Sequence, residues 1–453
     1  MLTGHTLIFG FVLALIVLFV LIIRFKWDAF VSLLVVALGL GLLSGIPAKE
    51  IPGIIATGFG NTLAGVGILI GLGILFGQFL ASSGAINKIA TGMLSVFGVK
   101  KSPYAIAMTS ITVSIPVFFD AAFIILHKLI QNISLKTKIA LSTFVAILSI
   151  GLITAHSLII PTPGPLVVAD QTGSDIGVFL LYGLLVSIPG VLVGGVMYGK
   201  FIGKRIANNG RLDDYEMSEG NSTIADRKEI STVLSFSILA LPIILILSNT
   251  FMNLLFRGNP EHFVPTFFSV IGDKNVALLI SLVVAMFALK PYIKEDSKTV
   301  FAKAFNQSGL VILITGAGGA FGKVVQETGI GDLLIAMMQG LNMPALLLAF
   351  LFSQILRASL GSATVALVTT SSIMGPIATE LGVSPVLLGL AICAGGVGLS
   401  LPNDSGFWVV SKFGRLSITE TIRVWTIGGF LSGVTVLLFV YILSIFQGIL
   451  PGL

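Results

Sequence analysis

Twelve apolar stretches run along the chain, six on each side of a polar interruption. They cover 5–23, 28–46, 61–80, 103–131, 137–160 and 174–202, then 231–250, 274–290, 307–325, 346–376, 383–402 and 422–449. As helices, runs of about 20 apolar residues match the hydrocarbon thickness of a bilayer. The interruption, "GKRIANNGRLDDYEMSEGNSTIADRKEI" (203–230), is the one long hydrophilic segment. It reads as a solvated linker between a first half, 1–202, and a second, 231–453. Its Lys204, Arg205, Arg227 and Lys228, with Arg24 and Lys26 after the first stretch, favour the cytoplasmic side. That places the N-terminus outside. The first stretch lacks a basic leader and a small-residue cleavage site, so it reads as a retained span rather than a signal peptide.

A shift of 245 residues lays the chain over itself. "GLGILFGQFLASSG" (71–84) falls on "GAGGAFGKVVQETG" (316–329), so that Gly71, Gly73, Phe76, Gly77 and Gly84 recur as Gly316, Gly318, Phe321, Gly322 and Gly329. At the same offset 28–46 covers 273–291, 103–131 covers 348–376, and Ser114 falls on Ser359. Glycines alone could coincide in a chain holding 52 of them, but glycines, phenylalanine and span order together argue for internal repetition. Such repeats are the usual plan of secondary transporters. The glycines also let membrane helices approach closely, which needs no further function, or they line a cavity or sliding surface. No strand precedes them and no ribose-binding acid follows, so they are not a dinucleotide fingerprint.

In each half the fourth stretch is too long for one straight helix. Pro116 breaks the first, and "SLGSAT" (359–364) breaks the second. Irregular backbone at membrane depth survives only where protein or water surrounds it. If these stretches are re-entrant hairpins, each half crosses five times and the repeats are inverted; if they are kinked spans, the halves are parallel. The fifth stretches end alike, "GLITAHSLIIPTPGP" (151–165) and "GGVGLSLPNDSGFW" (395–408). Four interrupted segments in equivalent places point to a midplane substrate site, where helix N-termini attract an anion.

Composition agrees with a polytopic, all-α membrane protein. The 453 residues are 55% hydrophobic and only 10% charged, against about 25% charged in soluble domains. One cysteine, Cys393, excludes a disulfide framework and a multi-thiolate metal or iron–sulfur site. The net charge of +6 fits basic cytoplasmic loops, and no compact basic stripe with aromatics suggests nucleic acid. No HExxH, GxSxG or Walker lysine is present, so neither an enzyme site nor an ATP site is expected, and no cofactor. Transport would then be driven by an ion gradient or run downhill.

Ionisable groups in the spans cost at least about 2.5 kcal/mol each, so each needs a partner or a function. They are Asp120, His127, His156, Glu327, Arg357 and Asp404. Asp120 either caps the helix after its break or carries a proton. His156 either satisfies a freed carbonyl or binds substrate or proton. Arg357 either pairs with a buried acid or grips a substrate carboxylate with two prongs. His127 and Glu327 read as interfacial. Asn403, Asp404 and Ser405 offer amide, carboxylate and hydroxyl groups suited to a polyol, a hydroxy acid or a small cation. A membrane-embedded enzyme using Asp120 and Asp404 as a carboxylate pair is the rival reading.

The stretches "SIPVFFDAAFIIL", "TAHSLIIPTPGP", "LRASLGSATVA" and "PNDSGFW", with "GLGILFG" and "GAGGAFGK", resemble the gluconate permease family of bacterial proton symporters over essentially the whole chain. The resemblance implies uptake of gluconate or a related sugar acid, or of D-serine or another small hydroxy acid, through a bacterial cytoplasmic membrane. It also implies inverted repeats, re-entrant hairpins, a transport domain moving against a scaffold and, as is usual for that plan, a homodimer. Two departures stand out. The family's "PPHPGP" is "IPTPGP" here, with Thr162 for a histidine; its "HVNDSGFW" is "SLPNDSGFW", which opens with Ser400 and holds no histidine. The expected substrate site draws on Ser114, Pro116, His156, Thr162, Gly164, Arg357, Ser359, Gly361, Ser362, Thr364, Asn403 and Ser405. Proton coupling is expected from Asp120, His156 and Asp404, with sodium as the alternative ion.

Overall fold

The computed structural model describes residues 5–207, 229–256, 263–329, 344–375, 378, 382–402 and 404–453, and among these it is helical with no strand. Among the described residues seven helices are long and apolar enough to cross a bilayer, from Ile51–Ser82 to Ile418–Ile445, and shorter apolar helices accompany them. Capping fixes several starts. Asp28 accepts from the Phe30 amide, Asp175 from Val178 and Asp273 from Val276, each satisfying an amide that the first helical turn leaves unpaired.

The helices recur in the same order in both halves. Ala29–Leu43 and Ile51–Ser82 correspond to Lys274–Leu289 and Ser297–Glu327. Each fourth stretch is two helices, Ser102–Ser114 with Phe119–Thr137 and Ala345–Leu360 with Ala363–Met374. Each fifth is also two, Leu141–Leu158 with Pro163–Gln171 and Pro385–Val397 with Ser405–Gly414.

Two boundaries differ from the sequence reading. The third helices begin at Ile51 and Ser297, about ten residues before their apolar runs, because Pro52 and the flanking Asp296 favour a helix start there. The helix Tyr198–Ala207 carries the first five residues of the expected linker, and Lys204 and Arg205 sit on its last turn, where a helix dipole favours cations. The rest of the linker, 208–228, lies outside the described residues.

The long helices Ile51–Ser82 and Ser297–Glu327 lie side by side and antiparallel. At one end Phe79 meets Phe301, with ring centres 5.6 Å apart. At the other, a methyl added to Gly58 would lie 2.6 Å from both the Gly319 carbonyl oxygen and Lys323 Cβ. Glycine is needed there because backbone meets backbone, the close packing that associates helices where lipid leaves no hydrophobic drive between them. Leu141–Leu158 is buried along its whole length and Pro385–Val397 over nearly all of its own, so these two form the centre. Phe9, Phe287 and Ile445 are exposed on the perimeter, where a membrane protein faces lipid. Leu18, Leu33 and Leu40 of the first two helices pack on Phe321 and Val324 in a separate small core.

Candidate functional site

Pro116 has no amide to continue the helix Ser102–Ser114, so the chain turns before Phe119 opens the next one. Gly361, at φ 68°, ends Ala345–Leu360 in a left-handed conformation suited to glycine, and Ser362 then caps Ala363–Met374 by accepting from Val365. After Pro385–Val397, Leu399 takes a positive φ, and Asp404 caps Ser405–Gly414 through the Gly406 amide at 3.0 Å. Three helix N-termini are thereby brought to one cavity of about 430 Å³, lined there by Phe119–Ala121, Gly361–Val365 and Asp404–Gly406. The size suits a small-molecule pocket, commonly about 300–1,000 Å³.

Arg357 lies on its wall, 1% exposed. Its Nη2 donates to Asp404 Oδ2 at 2.5 Å, while Nε and Nη1 are buried without a protein partner. Asp404 is fully engaged: it also accepts from the Ser400 hydroxyl and the Gly406 amide. The Ser400 carbonyl in turn accepts from Thr426 at 2.5 Å. The pairing that the sequence offered for the arginine is made with Asp404, and two of its nitrogens are left over. Asp120 is held far more lightly: among the described residues it accepts from the Ser405 hydroxyl at 3.3 Å. His156 ends the helix Leu141–Leu158 beside Phe118, with ring centres 5.6 Å apart and Nδ1 buried without a partner.

Of the expected site residues, Asp120, His156, Arg357, Gly361, Ser362, Thr364, Asp404 and Ser405 meet at this cavity. Four others lie elsewhere. The Ser114 hydroxyl donates to the Leu152 carbonyl at 2.7 Å, and the Thr162 hydroxyl to that of His156 at 2.9 Å. Pro116 presses its carbonyl on Gly77, and Gly164 packs on Leu367. The N-terminus of Pro163–Gln171, a fourth expected anion site, thus does not line the cavity. Ser359 sits on the last turn of Ala345–Leu360, and Asn403 lies outside the described residues. Glu327 pairs with Lys323 at 2.8 Å, and the His127 ring lies tilted against Phe413 with centres 4.8 Å apart; neither lines the cavity.

A sequence profile of GntP family permeases matches residues 6–446. The chain belongs to this family. The GntP permease is 35% identical over 425 residues to the inner membrane permease YgbN of Escherichia coli strain K12, covering 91% of this chain and 92% of that one. It is 33% identical over 443 residues to a gluconate permease of Bacillus subtilis, covering 96% and 98%. A low-affinity gluconate transporter of Escherichia coli strain K12 is 30% identical over 94% of this chain and 95% of its own length. Two solved transporters share the fold. The Alcanivorax borkumensis YdaH transporter aligns with TM-score 0.66 at 15% identity over 92% of this chain and 97% of its own. Neisseria gonorrhoeae MtrF aligns with TM-score 0.62 at 14% identity, over 91% and 94%. This GntP permease is a multi-pass transporter of the bacterial inner membrane and not an enzyme.

Among the cavity residues that escape the sequence reading are three with side-chain hydrogen-bonding groups. Asn306 and Gln307 sit on Ser297–Glu327 facing the three N-termini, and Trp425 closes another side. The amide pair immediately before a long apolar run was the available signal; it looked like the edge of a span. Trp425 gave none.

Proposed function

We propose that the protein imports gluconate, or a related small hydroxy or sugar acid, by proton symport with alternating access. The observation that carries this reading is Arg357, whose Nε and Nη1 have no protein partner although the side chain is almost wholly buried beside three helix N-termini. A buried guanidinium with unmade bonds is expensive, and a carboxylate accepting both supplies what is missing. The Ser362, Thr364 and Ser405 hydroxyls and the Asn306 and Gln307 amides around the cavity suit the hydroxyl groups of such an acid. Relatives named as gluconate permeases and transporters support gluconate as the first substrate to test.

Proton coupling is assigned to Asp120. Arg357 is already paired with Asp404, whereas Asp120 accepts from the Ser405 hydroxyl at 3.3 Å and is the acid left to bind and release a proton. His156 is the second candidate, because its Nδ1 is free at the same wall. The antiparallel packing of repeat-equivalent helices Ile51–Ser82 and Ser297–Glu327 supports inverted repeats. The paired broken helices support re-entrant hairpins carried on a transport domain that moves against a scaffold. A homodimer of that plan in the bilayer completes the proposal.

Purified protein in sealed vesicles should accumulate labelled gluconate when the outside is made acidic. Accumulation under a sodium gradient alone would overturn the proton assignment. Failure of every sugar acid, D-serine and glycerate to compete would overturn the substrate class.

A further inference from the structure

We infer that a second polar cavity, between Asn61, Thr62, Gln171 and Lys323, is the station at which the same small hydroxylated carboxylate is bound on the opposite face of the membrane; this rests on the alternating-access reading above. The cavity measures about 220 Å³ and lies beside the Gly58–Gly319 crossing of the two long helices. Gln326 and Ser372 complete its polar wall. Lys323, steadied by Glu327 at 2.8 Å and Gln326 at 3.0 Å, supplies a cation for a carboxylate; the amides and hydroxyls suit a polyol.

Three independent relations tie this cavity to the central one. The first is the 245-residue repeat, which lays Asn306 and Gln307 of the central cavity on Asn61 and Thr62. Equivalent helices thus present equivalent polar pairs, one to each cavity. The second is position along the helix. Asn306 to Ile314 line the central cavity from the first half and middle of Ser297–Glu327, whereas Gly319 to Gln326 line the second from its C-terminal end, so the two cavities lie at different depths along one helix.

The third is a difference in register between the halves. In the first, Gly77 abuts the carbonyl of Pro116, inside the break. The repeat equivalents of these residues are Gly322 and Gly361, but Gly322 abuts Ser372, eleven residues beyond Gly361; a methyl on Gly322 would lie 2.6 Å from the Ser372 carbonyl. The first half is therefore closed over its break, while the second stands clear of its own, and the central cavity fills the gap beside Asn306. Exchanging the two registers closes the Asn306 side and opens the breaks toward Asn61. The Gln171 side-chain oxygen accepts from Ser371 at 2.7 Å and Ser372 at 3.2 Å beside the second cavity, at the end of Ala363–Met374 opposite Thr364.

The test uses single cysteines in a Cys393→Ala background, reconstituted in vesicles and probed with a membrane-impermeant thiol reagent from each face. Asn306→Cys should react from one face only and Asn61→Cys from the other only. Saturating gluconate should change the two labelling rates several-fold in opposite directions. Gln307→Cys and Thr62→Cys form a second pair should either first variant fail to fold. Labelling of both positions from one face, or rates that move together or not at all while transport persists, would overturn the inference. If no hydroxy acid is transported by the unmodified protein, the functional proposal falls instead, and the sidedness of labelling is read separately.

Discussion

Arg357 and Asp404 are joined at 2.5 Å between two broken helices, with side chains 2% and 8% exposed. The pair satisfies the acid while leaving part of the arginine unspent. Removing one member would strand the other in a dry site, at a cost of about 3–5 kcal/mol. Arg357→Gln should therefore lower thermal stability sharply and abolish uptake. Arg357→Met combined with Asp404→Leu should regain most of the stability but none of the uptake, as thermal unfolding in detergent and vesicle uptake would reveal. Uptake by the double variant would remove the arginine from substrate binding.

Arg357→Lys keeps the charge but loses the planar fork. One charge-assisted bond is worth about 1.5–3 kcal/mol, so gluconate affinity should fall roughly 10- to 100-fold while stability changes less. Equilibrium binding to purified protein measures this directly. An unchanged affinity would mean that the free nitrogens do not meet the ligand.

Asp120→Asn keeps the hydrogen-bonding shape and removes the exchangeable charge. Gradient-driven accumulation should disappear, whereas exchange of internal for external substrate should persist. Counterflow assays separate the two, and undiminished accumulation would end the coupling role of Asp120.

The glycines of "GLGILFG" are not equivalent. A methyl at Gly77 would run into the Pro116 carbonyl, while one at Gly71 would meet nothing within 4 Å. Gly77→Ala should cost about 1–3 kcal/mol or more, because backbone must move to admit it. Gly71→Ala should leave stability and uptake unchanged. Paired melting curves test the contrast.

Trp425 is 1% exposed and lines the central cavity, whereas Trp27 and Trp408 are both well exposed. Gluconate should alter the intrinsic fluorescence of the protein, and Trp425→Phe should remove that response. A response surviving in Trp425→Phe would place binding elsewhere.

The spans and both kinds of break were legible in the chain because each is a local property. Asp120, Arg357 and Asp404 were legible because charge inside an apolar run demands an explanation. Ser114 and Thr162 misled for the complementary reason: they stand at breaks, yet nearby carbonyls of Leu152 and His156 consume their hydroxyls. No spacing rule reveals which acceptor a hydroxyl will find. Asn306 and Gln307 were hidden because the helix starts before its apolar run, and which face of it meets the breaks depends on contacts between distant segments.

The flank-to-flank packing of Ile51–Ser82 and Ser297–Glu327 has a consequence for biosynthesis. The Gly58 face of the earlier helix is covered by Gly319 and Lys323 of a partner made more than 200 residues later. At synthesis rates of about 5–20 residues per second, that face waits on the order of ten to forty seconds inside the membrane with only lipid or the insertion machinery against it. The first half is thus made before the helix that covers this face exists.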